Sequence, residues 1–214
     1  MKITTEKEAW EAVKENGYAL QYVPEGLKNP ELCLEAVKKR EYALQYVPEE
    51  LKTQELCLEA VKYFGFALEY VPEELKTYEL YLEAVKDNGY VLEYVPEELK
   101  TPELCLEAVK ECGFALRYVP EELKTLELCL EAAKYVHDYE LEPYPIFIHV
   151  PPKIKTYEFY LKAVKENDDL FYYVPEEFKT PELRLEVERK RSGYKLKTEN
   201  FNNDTNNGDD DLPF

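Results

Sequence analysis

The chain has 214 residues, of which 45 are acidic and 27 basic, so its formal net charge is −18 at pH 7. This charge disfavours direct binding to a nucleic-acid duplex or to an anionic membrane, and it is compatible with a basic protein partner. The first residues lack the apolar core of a secretory signal, and no later stretch approaches the roughly 18 apolar residues that span a bilayer. We therefore expect a cytoplasmic protein.

A unit of 24 residues recurs along most of the chain, and its first copy is TEKEAWEAVKENGYALQYVPEGLK over residues 5–28. Such a period is typical of solenoids, in which each repeat packs only on its neighbours. The pattern predicts an all-α solenoid of short helix pairs over residues 1–196. Further units begin at Asn29, Thr53, Thr77, Thr101, Thr125 and Thr156, and a capping half-unit begins at Thr180.

The first half of each unit predicts a helix of about three turns, as the third unit shows. Thr53 is placed as the N-cap, and Gly65 is placed to end the helix. In sister units, Pro102 and Pro181 take the first helical position, which proline favours. The apolar face predicted for the core contains Leu56, Cys57, Leu58, Ala60 and Val61.

The second half of the unit predicts another short helix that stops near Tyr70, because Pro72 prevents an ordinary helix from continuing. A single turn should follow Pro72, with Leu75 directed toward the core. A lone unit of two short helices and a turn buries too little apolar surface to fold, so stacking on neighbours must supply the rest.

The two ends of the array differ from its middle. In the first unit, Thr5 and Glu8 have the spacing of a capping box, and Trp10 replaces a leucine. The last half-unit turns polar, which should close the other end of the stack. Residues 197–214 are polar and of low complexity, so we expect a disordered acidic and asparagine-rich tail.

Four cysteines share one register position in their units, which predicts a buried packing column rather than a metal site. Consecutive members lie at least one whole repeat apart, with no CxxC pair. We therefore expect no metal and no cofactor. The column contains Cys33, Cys57, Cys105 and Cys129, whereas Cys112 lies outside it.

The recurring motif AVKxxGxALxYVPEELKTxELCLEAV, seen in residues 60–76 and 101–116, resembles a repeat family of bacterial and viral proteins catalogued only as a domain of unknown function. The resemblance covers about residues 5–190. It implies short helical repeats and transfers no catalytic residue to this chain.

The sixth unit interrupts the pattern, since residues 125–155 exceed the 24-residue rule by seven. Its prolines break the second helix, and residues 146–148 predict an extended apolar strip. A bulge on a rigid scaffold is suited to partner recognition, so the unit is a candidate binding site. A metal site at His137, Asp138, Glu140 and His149 is one alternative, and a surface loop with incidental histidines is another. The proposed partner-binding residues are Tyr139, Tyr144, Phe147 and His149.

Paired glutamates recur at one place in each unit and form a candidate acidic face. Regular rows of carboxylates can imitate nucleic-acid phosphates and occupy the basic groove of a nucleic-acid enzyme. The alternative is an ordinary solvated face, since a lysine follows each pair. The face contains Glu49, Glu50, Glu73, Glu74, Glu97, Glu98, Glu121 and Glu122, with Glu35, Glu59, Glu83 and Glu107 on the first helices.

The 19 tyrosines offer a third candidate surface. Those before each Val-Pro pair are interpreted as packing residues with surface hydroxyls, whereas Tyr63, Tyr78 and Tyr81 form a candidate exposed strip. The chain carries no GxSxG, Walker, dinucleotide or HExxH motif, so we expect no catalysis.

These observations predict a non-catalytic, protein-binding scaffold that recognises a partner through the solenoid surface and the irregular sixth repeat. The alternative is an acidic inhibitor of a nucleic-acid-processing enzyme, carried by a virus or mobile element. Either protein would act as a monomer or as an oligomer.

Overall fold

In the computed structural model of the protein, residues 3–135 and 146–192 are described, and every regular element in these two ranges is helical. The all-α, solenoid-like repeat predicted above is confirmed. The α-helices are α1 (Glu6–Glu15), α2 (Pro30–Lys39), α3 (Gln54–Tyr63), α4 (Tyr78–Asp87), α5 (Pro102–Glu111), α6 (Leu126–Lys134), α7 (Tyr157–Glu166) and α8 (181–192).

The second half of each repeat is built from 3₁₀ helices, not from a second α-helix. The long 3₁₀ segments are Gly17–Tyr22, Glu41–Tyr46, Gly65–Tyr70, Gly89–Tyr94, Gly113–Tyr118, Ile146–His149 and Asp168–Tyr173. The short 3₁₀ turns are Glu25–Leu27, Glu49–Leu51, Glu73–Leu75, Glu97–Leu99, Glu121–Leu123, Pro152–Ile154 and Glu176–Phe178. The predicted stop at Tyr70 is confirmed. The six residues that end there, before Val71-Pro72, form a 3₁₀ helix, which is wound more tightly than an α-helix and is common in short segments.

The chain divides into two compact units, Met1–His137 and Asp138–Phe214, with the boundary inside the irregular sixth repeat. The predicted single array over residues 1–196 therefore remains a prediction. Residues 197–214, for which a disordered tail is expected, lie outside the described residues.

The first helical turns confirm the capping predictions. The Leu56 amide donates to Thr53 Oγ1 at 3.2 Å. Thr5 and Glu8 form a complete capping box, in which Glu8 Oε2 accepts from the Thr5 amide at 3.0 Å. These bonds satisfy amides that have no partner within the helix.

The apolar face of each α-helix is buried as the spacing predicts. In α3, Leu56, Cys57, Ala60 and Val61 are buried, whereas Leu58 is only half-buried. All five cysteines are buried, including Cys112, which caps the end of α5. The cysteine column is therefore part of the core.

The glycine that follows α1, α3, α4 and α5 has a different role from the predicted helix cap. No glycine among the described residues has a positive φ, and the C-cap of α3 is the extended residue Phe64. A Cβ on Gly65 would instead come within 3.0 Å of the Ala84 carbonyl oxygen in the next repeat's helix. A Cβ on Gly89 would come equally close to the Ala108 carbonyl oxygen. The glycine is there because two backbones approach closely.

Polar contacts also join successive repeats in the N-terminal unit. The Gly65 amide donates to Asp87 Oδ2 at 2.7 Å, and the Gly113 amide donates to the Tyr135 carbonyl at 3.1 Å. The Tyr78 hydroxyl lies 2.9 Å from Thr101 Oγ1, the N-cap of α5. These junctions therefore combine apolar burial with hydrogen bonds made by backbone and side-chain groups.

The C-terminal unit is held by an aromatic cluster. Phe147 meets Phe159 and Tyr160 in edge-to-face contacts with centroids 5.6 and 5.1 Å apart, and Tyr160 lies 4.9 Å from Phe178. The predicted extended strip at residues 146–148 is wrong, because Ile146–His149 is a 3₁₀ segment that precedes Val150-Pro151 as Gly65–Tyr70 precedes Val71-Pro72. Arg191 Nε of α8 donates to Asp168 Oδ2 at 3.1 Å.

Candidate partner-binding surface

The long 3₁₀ segments present a regular set of exposed side chains. In Gly65–Tyr70, Ala67 and Leu68 are buried, whereas Phe66 and Glu69 are exposed. A 3₁₀ helix has about three residues per turn, so positions three apart share one face. The sequence therefore places an aromatic ring and a polar group side by side on the surface of this repeat.

Aromatic rings of adjacent repeats meet edge to face across this surface. Each contact joins the second residue of one 3₁₀ segment to the last residue of the next, with centroid distances of 6.2, 6.2 and 6.4 Å. Such contacts add stability beyond area burial and fix the ring orientations. We call this set the aromatic ladder; its pairs are Tyr42–Tyr70, Phe66–Tyr94 and Tyr90–Tyr118.

A cavity of about 190 Å³ is lined by two rings of the ladder that contact each other edge to face. Phe66 is 38% exposed and Tyr94 is 58% exposed, so both rings are accessible from it. The lining residues are Phe66, Leu68, Glu69, Lys76, Val91 and Tyr94. The cavity thus combines aromatic surface with one carboxylate and one ammonium group.

Burial and neighbouring carboxylates raise the pKa of two tyrosine hydroxyls in the ladder. Burial, with the Glu69 carboxylate as the next cause, raises the pKa of Tyr70. Burial also raises the pKa of Tyr118, and Glu93 adds to the effect. Both hydroxyls stay protonated at neutral pH, so the ladder offers neutral rings beside carboxylates.

Arginine side chains of the chain itself already lie over rings of the 3₁₀ segments. The Arg117 guanidinium is 5.4 Å from the Tyr118 ring centroid, and that of Arg40 is 5.8 Å from the Tyr18 centroid. Both distances are within the range of favourable cation–π contacts.

The predicted sixth-repeat site is only partly covered by the structure. Tyr139 and Tyr144 lie outside the described residues, as do His137, Asp138 and Glu140 of the alternative metal site. Phe147 belongs to the buried aromatic cluster, so its ring is not presented to a partner. His149 is half-buried at the end of its 3₁₀ segment.

The paired glutamates of the predicted acidic face are exposed and the four on the first helices are half-buried, and eight of the twelve carboxylates are paired with lysine. Glu73 Oε2 and Glu97 Oε1 accept from Lys76 and Lys100 at 2.7 and 2.6 Å. Glu83 on α4 is similarly paired with Lys86 at 2.7 Å. The second glutamates of the pairs are exposed; they are Glu50, Glu74, Glu98 and Glu122.

The lysines of these pairs are the main feature that sequence reasoning missed. Lys100 is 8% exposed, and its Nζ also donates to the Tyr118 carbonyl of the next repeat at 3.0 Å. Lys28 makes the equivalent bond to the Tyr46 carbonyl at 2.8 Å. The fixed place of lysine before each new helix was the available signal, but it was interpreted as a solvated residue.

The predicted tyrosine strip is not a single surface. Tyr81 is buried in the core, Tyr78 is half-buried against Thr101, and Tyr63 is 47% exposed. The exposed aromatic rows lie instead on the 3₁₀ segments. The signal was the ring that recurs directly after the glycine position, as in Phe66 and Tyr90.

Within the described ranges 3–135 and 146–192, no three histidine, cysteine, aspartate or glutamate side chains are grouped as a metal site would require. None of the helices there has the length and apolar character needed to cross a membrane.

Comparison with known families identifies the repeats. The family model described as "Domain of unknown function (DUF4116)" matches residues 9–52, 53–100 and 101–155, so each matched copy spans two of the repeats. Neither the curated proteins nor the solved structures yield a match. The chain therefore belongs to the DUF4116 family and carries this domain of unknown function three times in tandem.

Proposed function

We propose that this protein is a non-catalytic repeat scaffold that binds a partner protein through the aromatic ladder. The observation that supports the proposal is the exposure of ladder rings, with Tyr94 at 58%, on a surface where packing between repeats fixes their orientation. Tyrosine side chains are enriched at the centres of protein interfaces, because they bury large area at a small entropic cost. Tyr139 and Tyr144 of the sixth repeat remain candidate contributors.

The test uses the full chain as bait in an extract of its native host. Any recovered protein is then purified, and its affinity for the bait is measured by calorimetry. We expect Tyr94→Ala to weaken the complex by about tenfold or more, as loss of an interface tyrosine does. Tyr63→Ala is the matched control, since Tyr63 is comparably exposed but lies outside the ladder.

A scaffold function at the ladder is rejected if no protein forms a defined complex with the bait. It is also rejected if Tyr94→Ala and Tyr63→Ala bind the partner as wild type does. Circular dichroism of each variant distinguishes lost binding from lost folding.

An acidic inhibitor of a nucleic-acid-processing enzyme is the second candidate. The exposed row of Glu50, Glu74, Glu98 and Glu122 favours it, whereas the lysine partners of the first glutamates reduce the charge of the face. Such binding should weaken steeply as salt is raised, because charge attraction is screened. Replacement of these four glutamates by glutamine should remove most of that salt dependence, and a flat response in wild type excludes the inhibitor.

A further inference from the structure

We propose that the cavity lined by Phe66 and Tyr94 receives an arginine side chain of the partner, with Glu69 as its counter-charge. This inference rests on the proposed scaffold function and specifies the chemistry that the ladder recognises.

The lining of the cavity suits a guanidinium group. Its two aromatic walls come from successive repeats, with ring centroids 6.2 Å apart and an interplanar angle of 86°. A cation held over aromatic faces is attracted by their negative electrostatic potential. Leu68 and Val91 complete the lining and offer apolar contact to the aliphatic stem of the side chain.

The charges at the cavity favour a cationic guest. Glu69 is exposed and shares a face with Phe66, and its carboxylate accepts a hydrogen bond from the neutral Tyr70 hydroxyl and keeps its negative charge. Lys76 also lines the cavity, but its ammonium donates to Glu73 at 2.7 Å. The net charge of −18 further attracts a basic segment.

The chain's own arginines indicate that the guest is arginine. Arg117 lies over Tyr118, which has the register of Tyr94, and Arg40 lies over Tyr18, which has the register of Phe66. Guanidinium groups therefore already lie over rings at both of these register positions elsewhere in the chain. In the third and fourth repeats, the position of Arg117 holds Glu69 and Glu93, so a carboxylate replaces the internal cation. Guanidinium stacks on rings and pairs with carboxylates better than the more strongly hydrated lysine ammonium.

The experiment measures fluorescence anisotropy of a labelled arginine nonapeptide with the full chain at about 0.15 M salt. Lysine and glutamine nonapeptides serve as comparison probes. We expect the arginine peptide to bind most tightly, and Tyr94→Ala and Glu69→Gln each to weaken it roughly fivefold to tenfold. Tyr94→Phe keeps the ring and should keep most of the affinity.

Matched controls separate this cavity from general charge attraction. Tyr22→Ala removes a 66% exposed ring at the register of Tyr94, but beside Gln21 instead of a carboxylate. Glu79→Gln removes one exposed charge from the first turn of α4. We expect both variants to bind the peptide as wild type does.

The inference is overturned if wild type fails to bind the arginine peptide, or if Glu79→Gln weakens binding as much as Glu69→Gln. Equal affinity for the lysine and arginine peptides, unchanged by Tyr94→Ala, also overturns it. Capture of the partner does not involve these peptides, so the scaffold function is accepted or rejected by its own result.

Discussion

Lys100 links the short 3₁₀ turn before it to the backbone of the next repeat. Its side chain is only 6% exposed, and the equivalent Lys28 and Lys52 side chains are buried to a similar extent. Lys100 Nζ donates to Glu97 at 2.6 Å and to the Tyr118 carbonyl at 3.0 Å, so it neutralises a surface carboxylate and satisfies a backbone acceptor of the next repeat. A buried ammonium is tolerated only when it is paired in this way.

Lys100→Met tests this role. The methionine retains the apolar stem but leaves the Tyr118 carbonyl without its donor, so we expect a loss of about 1–3 kcal/mol in the free energy of unfolding. The control is Lys86→Met, which breaks an exposed pair with Glu83 and should cost no more than about 0.5 kcal/mol. Denaturant titration gives both values, and equal costs would contradict the role assigned to Lys100.

The cysteine column predicts a dependence of stability on alkaline pH. Burial raises the pKa of the Cys105 thiol from 9.0 to about 11, and Cys33, Cys57 and Cys129 shift in the same way. Above pH 9, the unfolded chain therefore loses protons that the folded chain retains. The stability from these thiols is complete below that pH and is lost as pH rises toward 11.

Denaturation midpoints measured across this pH interval test the prediction. A variant with alanine at all four column positions should show a shallower loss of stability with pH than wild type. The comparison cancels the contribution of tyrosines, which titrate in the same region in both proteins. Parallel pH profiles would show that the thiols do not contribute.

At the residue scale, local signals were predictable from sequence and distant partners were not. Thr53 as an N-cap and Cys57 as a core residue follow from positions within one helix. The bond from Lys100 to Tyr118 joins residues 18 apart, so it depends on how two repeats stack. Phe147 was placed in a surface bulge because of the nearby prolines, although it holds the position of the buried Leu68.

At the scale of elements, the glycine position sets how closely a 3₁₀ segment and the next α-helix approach. Gly65 and Gly89 lie against the backbones of α4 and α5. In the second repeat this position holds Glu41, so glycine is not required at every junction. The sequence alone indicated a helix cap, because glycine after a helix commonly adopts positive φ.

Gly65→Ala should destabilise the N-terminal unit. The added methyl group meets the Ala84 carbonyl, so α4 must move away, at a cost of about 1–3 kcal/mol in unfolding free energy. Gly26→Ala is the control, because nothing lies within 4 Å of its Cβ position. That variant should gain about 0.4–1 kcal/mol through reduced entropy of the unfolded chain. A neutral Gly65→Ala would contradict the close-approach role.

The sequence pattern also could not predict whether the second helix of each repeat is an α-helix or a 3₁₀ helix. Six residues between an extended cap and a Val-Pro pair are compatible with either helix type, and the apolar spacing of so short a segment does not distinguish them. The choice matters for the surface, because three residues per turn align Phe66 with Glu69. The candidate site could not be predicted before that alignment was known.

For the whole molecule, the 24-residue period was sufficient to predict the fold class, since one repeat cannot bury its own apolar face. The division at the sixth repeat was not predicted. That repeat carries seven extra residues, and the boundary of the two compact units falls inside it. The N-terminal unit should therefore be able to fold by itself.

Two pieces of the chain test this expectation. A peptide of residues 53–76 should be unfolded and monomeric by circular dichroism and sedimentation, because an isolated short helix without neighbours is marginal in water. A fragment of residues 1–137 should be helical and unfold in one cooperative transition. A stably helical peptide, or an unfolded fragment, would contradict mutual support between stacked repeats.

The similar glycine and lysine contacts at successive junctions also bear on how the gene can change. Each junction depends only on the two repeats that form it, and not on the total number of repeats. Duplication of one internal repeat would therefore preserve the contacts at the existing junctions. Each added copy would bring one more pair of rings to the exterior. The number of exposed ring pairs can thus change by recombination within the gene, without redesign of the protein interior.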